Sequence, residues 1–164
     1  MKIFGIAGWS GSGKTTLLVR LIPALTRMGI EVATIKHTHH NPAIGDDDSR
    51  ALAAAGATEV LMASPRRFAL IHELGNLPEP SLDEIIHRCH GVDLLLIEGF
   101  KWSPHPKLEV WDPALGKSML APTEPTVVAL AADEAVAGSE LPHFHRDDCD
   151  GIAAFVATYC QLRG

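Results

Sequence analysis

Gly8-Trp9-Ser10-Gly11-Ser12-Gly13-Lys14-Thr15 fits G-x-x-x-x-G-K-[ST], the Walker A phosphate-binding loop. Ahead of it, Lys2-Ile3-Phe4-Gly5-Ile6-Ala7 reads as a short buried strand, and behind it Thr16-Leu17-Leu18-Val19-Arg20-Leu21-Ile22 begins an apolar helical pattern. Glycines such as Gly8, Gly11 and Gly13 let consecutive backbone N–H groups turn inward around a phosphate, and the helix aims its positive end at the same anion. In that frame Lys14 reaches the β- and γ-phosphates and the Thr15 hydroxyl holds Mg²⁺. The chain reads as a nucleotide-binding protein.

Outward from the loop, strands and helices alternate. A helix is expected from Lys14 to about Met28 with Gly29 as its stop, then a strand over Glu31–Lys36. Residues 37–48 carry three histidines, Asn-Pro and three aspartates without periodicity, which predicts a long polar loop. Ser49 to Ala55 predicts a short helix, Thr58–Ala63 and Arg67–His72 a hairpin, and Ser81-Leu82-Asp83-Glu84 a capping box opening a helix that runs to Gly91. Val92-Asp93-Leu94-Leu95-Leu96-Ile97 is apolar without alternation after Asp93, the pattern of a central parallel strand covered on both faces. Later strands are expected at Lys107–Trp111, Thr126–Leu130 and His143–His145, and a closing helix at Asp150–Cys160. Together these predict an α/β three-layer P-loop fold with a mostly parallel sheet extended by the antiparallel hairpin.

At 164 residues the chain suits one nucleotide-binding domain, with 46% apolar and 21% charged residues. A net charge of −6 argues against a general nucleic-acid or anionic-membrane surface, and no run of eighteen apolar residues is present for a membrane span. The start lacks a signal-peptide pattern, so a cytoplasmic location is expected. Cys89, Cys149 and Cys160 show no C-x-x-C spacing and read as reduced thiols.

Around the phosphate, Glu98 follows the apolar strand directly and reads as the Walker B carboxylate, reaching the Mg²⁺ shell or orienting a water; Asp93, at the other end, reads as a turn residue. Lys36 ends its strand on the carboxyl edge, where ligands of open α/β sheets bind. His37, His39 and His40 are open between an anion or partner contact, a transition-metal site and a solvated loop. Asp46, Asp47 and Asp48 are open between a solvated turn and a carboxylate for Mg²⁺ or a water, and Arg66-Arg67 between a phosphate or partner contact and protection of a strand edge. Lys101, beyond Glu98, places a cation close to the nucleotide.

The Walker A loop, followed by Thr34-Ile35-Lys36-His37-Thr38-His39-His40, Asp48-Ser49, Ala55-Gly56-Ala57 and Glu98-Gly99-Phe100-Lys101, resembles the molybdopterin-guanine dinucleotide biosynthesis protein B family over roughly residues 1 to 130. The resemblance implies a GTP-binding P-loop protein of the class that includes metal-insertion GTPases, an accessory to the transferase that joins GMP to molybdopterin, a homodimer and a weak GTPase. It also implies that Gly11, Ser12, Gly13, Lys14, Thr15 and Thr16 bind phosphate and that Glu98 is the Walker B acid. Contact with molybdopterin itself or with a molybdoenzyme is left open. The N-K-x-D sequence that reads guanine in many GTPases is absent; Asp133, in Ala131-Ala132-Asp133, is the nearest candidate to accept the guanine N1 and N2 hydrogens. Two alternatives stand beside this reading. A small-molecule kinase would need an Arg-rich lid, and the arginines are scattered; a GTP-dependent metal chaperone would rest on the histidines of the 37–40 segment.

Overall fold

The computed structural model describes residues 1–38, 43–136 and 138–162, and the chain divides into two compact units, Met1–His37 with Ile86–Gly164, and Thr38–Ile85. In chain order the elements are β1 (Lys2–Ala7), α1 (Lys14–Arg27), β2 (Val32–Lys36), α2 (Asp47–Ala54), β3 (Glu59–Ser64), β4 (Arg67–His72), α3 (Leu82–Ile86), β5 (Leu94–Glu98), β6 (Lys107–Val110), β7 (Val127–Ala131), β8 (His143–Phe144) and α4 (Cys149–Tyr159).

The first unit is built on a six-stranded sheet in the order β2-β5-β1-β6-β7-β8, with every neighbouring pair parallel. Because side chains alternate along a strand, Phe4, Ile6, Leu94, Leu96, Leu108 and Val110 fall on one face, and there they pack with Leu17, Leu21 and Leu25 of α1 and Ile152 and Val156 of α4. The opposite face carries Ala7, Val127 and Leu130 and is closed by Leu120 and its neighbours Met119 and Ala121. All four residues Leu94 to Ile97 are fully buried, as expected of a strand covered on both sides.

Two charged residues of β6 lie in that second face with no exposed surface, Lys107 and Glu109. Burial is tolerated because each is hydrogen-bonded: Lys107 Nζ donates to the Ser103 carbonyl at 2.7 Å and to Thr126 Oγ1, and the Glu109 carboxylate accepts from Leu120 N and Ala121 N at 2.7 and 2.9 Å. Burial pushes the Lys107 ammonium down and the Glu109 carboxyl up from their ordinary values.

His105 lies on the same side against Gly5, where a β-carbon would come within 2.6 Å of His105 Nε2. Burial, with Lys107 adding to it, lowers the His105 pKa from 6.5 to about 4. The unfolded chain therefore takes up this proton first, and stability is lost as pH falls from 6.5 toward 4 and then levels off. His105→Gln, which cannot titrate, is expected to lose about 2 kcal/mol less than the parent when urea denaturation near pH 7 is compared with that near pH 4.5. Equal losses in both proteins would show that His105 is not held neutral.

The second unit contains α2 and the antiparallel hairpin of β3 and β4. The hairpin forms its own two-stranded sheet and does not extend the parallel one, so that part of the sequence expectation is corrected: neither hairpin strand makes a ladder with a strand of the six-stranded sheet. Asp46 caps α2 by accepting from Ser49 N at 2.9 Å, satisfying one of the free N–H groups of the first turn. The Ser81–Glu84 capping box forms as expected, with Glu84 Oε2 accepting from Ser81 N at 2.7 Å. Its helix is shorter than the run to Gly91, ending at Ile86; Leu82, Ile85 and Ile86 are only partly buried, too little packing to carry it further.

Candidate nucleotide-binding site

The Walker A loop joins the carboxyl end of β1 to the start of α1. Gly8 is obligatory there: its φ is 139°, and a β-carbon would meet the Val110 carbonyl oxygen at 2.3 Å and Ser12 Oγ at 2.7 Å. Gly13, at φ 94°, is the N-cap of α1 and supplies no side-chain cap, which leaves the first-turn N–H groups facing outward without a protein side chain on them. Ser12 Oγ is buried and has no hydrogen-bond partner. An uncapped helix start and an orphaned buried hydroxyl are what an oxyanion would satisfy, so these residues fit a phosphate chain.

Lys14 Nζ donates to the Trp9 carbonyl at 2.8 Å, folding back over the loop. Burial lowers its pKa, with Lys101 and Lys36 adding to the effect and Glu98 opposing it. Thr15 Oγ1 lies 2.8 and 3.0 Å from the two Glu98 carboxylate oxygens, so the two residues predicted to hold Mg²⁺ are side by side. A hydroxyl and a carboxylate are hard oxygen donors, which suits that ion. Lys36 joins them, its ammonium 2.9 Å from Thr15 Oγ1 and 3.2 Å from Glu98 Oε1. The convergence follows from strand order: β2 lies beside β5 with Lys36 in register with Glu98, and β5 lies beside β1, which feeds the loop. Glu98 is only 8% exposed, whereas the Lys36 side chain is 56% exposed and free to follow a ligand.

Beyond Glu98 the chain turns through two residues of positive φ, Gly99 at 99° and Phe100 at 45°. A β-carbon on Gly99 would come within 3.0 Å of His37 Cβ, and the Phe100 ring stacks on the His37 ring at 4.3 Å between centroids. This turn carries Lys101 over the Trp9 indole, 4.0 Å from its centroid. Lys101 thus stands beside the Walker A loop. Thr16 is exposed in the first turn of α1. His39 and His40 lie outside the described residues, and no metal-holding group of three His, Cys, Asp or Glu occurs among the described ones.

Asp133 sits just past β7, and its two carboxylate oxygens accept from Arg146, Nε to Oδ1 at 2.6 Å and Nη2 to Oδ2. Arg146 Nη1 also donates to the Ser12 carbonyl at 3.2 Å and reaches Asp112 Oδ2 at 3.3 Å. The Arg146 hydrogen bonds hold the Asp133 carboxyl below the usual carboxylate range. Sequence reasoning missed Arg146 and Asp112. Nothing local marks them except that each follows a strand on the carboxyl edge of the sheet.

The family model described as molybdopterin guanine dinucleotide synthesis protein B (MobB) matches residues 3–133. The molybdopterin-guanine dinucleotide biosynthesis adapter protein of Escherichia coli (strain K12) is 35% identical over 98% of this chain and 94% of its own length. The adapter protein of the same name from Haemophilus influenzae is 43% identical over 66% of this chain and 62% of its own length. A crystal structure of molybdopterin-guanine biosynthesis protein B superposes with a TM-score of 0.74 at 30% identity, covering 96% of this chain and 99% of that one. With a Walker A loop, its carboxylate partner and a parallel sheet in the arrangement described, and with likeness at this level over nearly its whole length, the chain belongs to the MobB family of molybdopterin guanine dinucleotide synthesis proteins.

Proposed function

We propose that the protein is the GTP-binding adapter of molybdopterin-guanine dinucleotide biosynthesis, acting on the transferase that joins GMP to molybdopterin and hydrolysing GTP slowly. The observation that carries the reading is the Thr15–Glu98–Lys36 cluster at the mouth of the Walker A loop, a cation-binding pair beside a phosphate cradle. When bound, Mg²⁺ would supply charge neutralisation for the phosphates. Thr15 and Glu98 would hold it, Lys14 and Lys36 would face the phosphates, and Lys101 would add a further positive charge nearby. Among the described residues no helix is long and apolar enough to cross a membrane.

The test is reconstitution: purified protein, GTP and the guanylyltransferase, with dinucleotide cofactor formation followed over time. Stimulation that needs both the protein and GTP is expected. Equal stimulation without GTP, or none at all, would overturn the reading. Intrinsic turnover should lie near the unassisted range of roughly 10⁻⁴ to 10⁻² per second.

A homodimer belongs to the same reading. On one face of the hairpin Leu61 opposes Leu70 and Ala63 opposes Phe68, and Leu61, Phe68 and Leu70 are 63%, 76% and 45% exposed. Such a face on a two-stranded sheet is marginal alone and prone to self-association. Two-fold pairing of identical chains is the commonest way to cover it. Sedimentation at micromolar concentration is expected to give a dimer, and Phe68→Glu with Leu61→Glu to shift it toward monomer; a monomeric parent would defeat the proposal.

A further inference from the structure

We propose that the turn at residues 100–103 is a docking surface for a protein partner, with Trp102 as its apolar anchor and Lys101 and Lys117 as a positive rim that selects an acidic face carrying an apolar pocket. This rests on the adapter reading above and adds where on the molecule the partner is met.

A single apolar side chain on a surface needs no explanation, but this one stands on a turn that is strained and anchored on several sides. Phe100 takes a positive φ of 45°, and its ring is held there against His37, 4.3 Å between centroids. Lys101 Nζ lies 4.0 Å from the centre of the Trp9 indole. Ser103 N donates to the Phe100 carbonyl at 3.0 Å, and the Ser103 carbonyl accepts from the buried Lys107 Nζ at 2.7 Å. Trp102, between these fixed residues, is 64% exposed. The anchoring thus orders the turn without burying its largest side chain, an arrangement that suits a ligand-facing segment.

The charge around the indole says what kind of partner fits. Lys101 Nζ is also 5.9 Å from the centre of the Trp102 ring, and Lys117 Nζ is 5.9 Å from that of Trp9. Two indole N–H groups bring Lys117 there: Trp9 Nε1 donates to the Ser118 carbonyl at 2.7 Å, and Trp111 Nε1 to the Lys117 carbonyl at 3.3 Å. Among the described residues no ion pair reaches Lys101 or Lys117, whereas Lys36, Lys107 and Arg146 each have one. On a chain of net charge −6 this is a local positive patch, and it complements an acidic surface. An indole presented on a turn fills a pocket on the other molecule, and Trp is enriched among the residues that carry binding energy at interfaces. Because the turn is already ordered, docking costs little conformational freedom. Trp9 ties the surface to the phosphate loop, since its carbonyl accepts from Lys14 while its ring carries Lys101.

The test measures binding of the purified guanylyltransferase to the full chain with GTP present, by surface-based kinetics and calorimetry. Trp102→Ala is expected to weaken the complex by about 30-fold or more. Its GTP affinity, melting temperature and sedimentation should match the parent, because Trp102 buries little in the chain itself. Lys117→Glu should slow association by about threefold or more at low ionic strength, with the difference shrinking at about 0.5 M salt. Equal transferase affinity in Trp102→Ala and the parent overturns the proposal. So does a parallel loss of GTP affinity, which would make the turn part of the nucleotide site, or a shift from dimer to monomer, which would make it a contact between copies of this chain. Unchanged or faster association of Lys117→Glu shows that the face met is not acidic and overturns it as well. A parent that binds GTP but not the transferase defeats the adapter reading together with this one, whereas a parent that binds and a Trp102→Ala variant that binds equally defeat the docking surface alone.

Discussion

Lys14→Ala is expected to lower GTP affinity by on the order of 100-fold or more, while the melting temperature stays close to that of the parent. The size of the effect comes from a charge-assisted contact in a partly buried place, worth about 3 kcal/mol when one partner is removed. The fold should survive because Lys14 is in the first turn of α1 and its one internal hydrogen bond is to the Trp9 carbonyl, not to a core group. The buried face of α1 is supplied by Leu17, Leu18, Leu21, Ala24 and Leu25 instead. Titration of labelled GTP against both proteins checks this, with thermal unfolding as the control. Unchanged affinity would show that the loop is not a phosphate cradle.

Glu98→Gln is expected to remove most of the Mg²⁺ dependence of GTP binding and to slow hydrolysis by roughly 100-fold. The amide keeps the shape of the carboxylate and one acceptor for the Thr15 hydroxyl, so the change is chiefly one of charge. It strips Lys36 of the carboxylate 3.2 Å away and leaves the metal with a neutral ligand. Binding measured with and without Mg²⁺ separates this from a packing defect: a misfolded variant loses affinity under both conditions, whereas loss of the metal ligand shows only when Mg²⁺ is present. Retention of full Mg²⁺ dependence would remove Glu98 from the metal site.

What can be read in the linear chain is what is local. The phosphate loop is eight consecutive residues, Leu94 to Ile97 announce a strand buried on both faces without any knowledge of neighbours, and Ser81 with Glu84 marks a helix start by short-range hydrogen bonds. Lys36 and Glu98 could each be placed at a strand end. That they meet could not, because it depends on β2 and β5 being adjacent in the same register. Lys-Leu-Glu-Val in β6 alternates as though one face were wet, yet packing of the 119–121 segment closes that face and buries both charges. The helix from Leu82 fell short for the same kind of reason, since propensity over so few residues does not extend a helix whose apolar residues are only partly buried.

Legible in the chain alone are the strand–loop–helix unit, its phosphate-binding pattern, and the central strand that presents Glu98. These are encoded in contiguous residues whose backbone preferences and hydrogen bonds act within a few positions of each other. Which distant side chains gather at the phosphate-loop edge depends on the folded chain: Lys36 beside Thr15, Lys101 over Trp9, and Arg146 drawing Asp112, Asp133 and Ser12 into one network. Those residues come from separate strand ends, and parallel strand order, which is fixed by burying the two faces of the sheet, is what brings them to one edge.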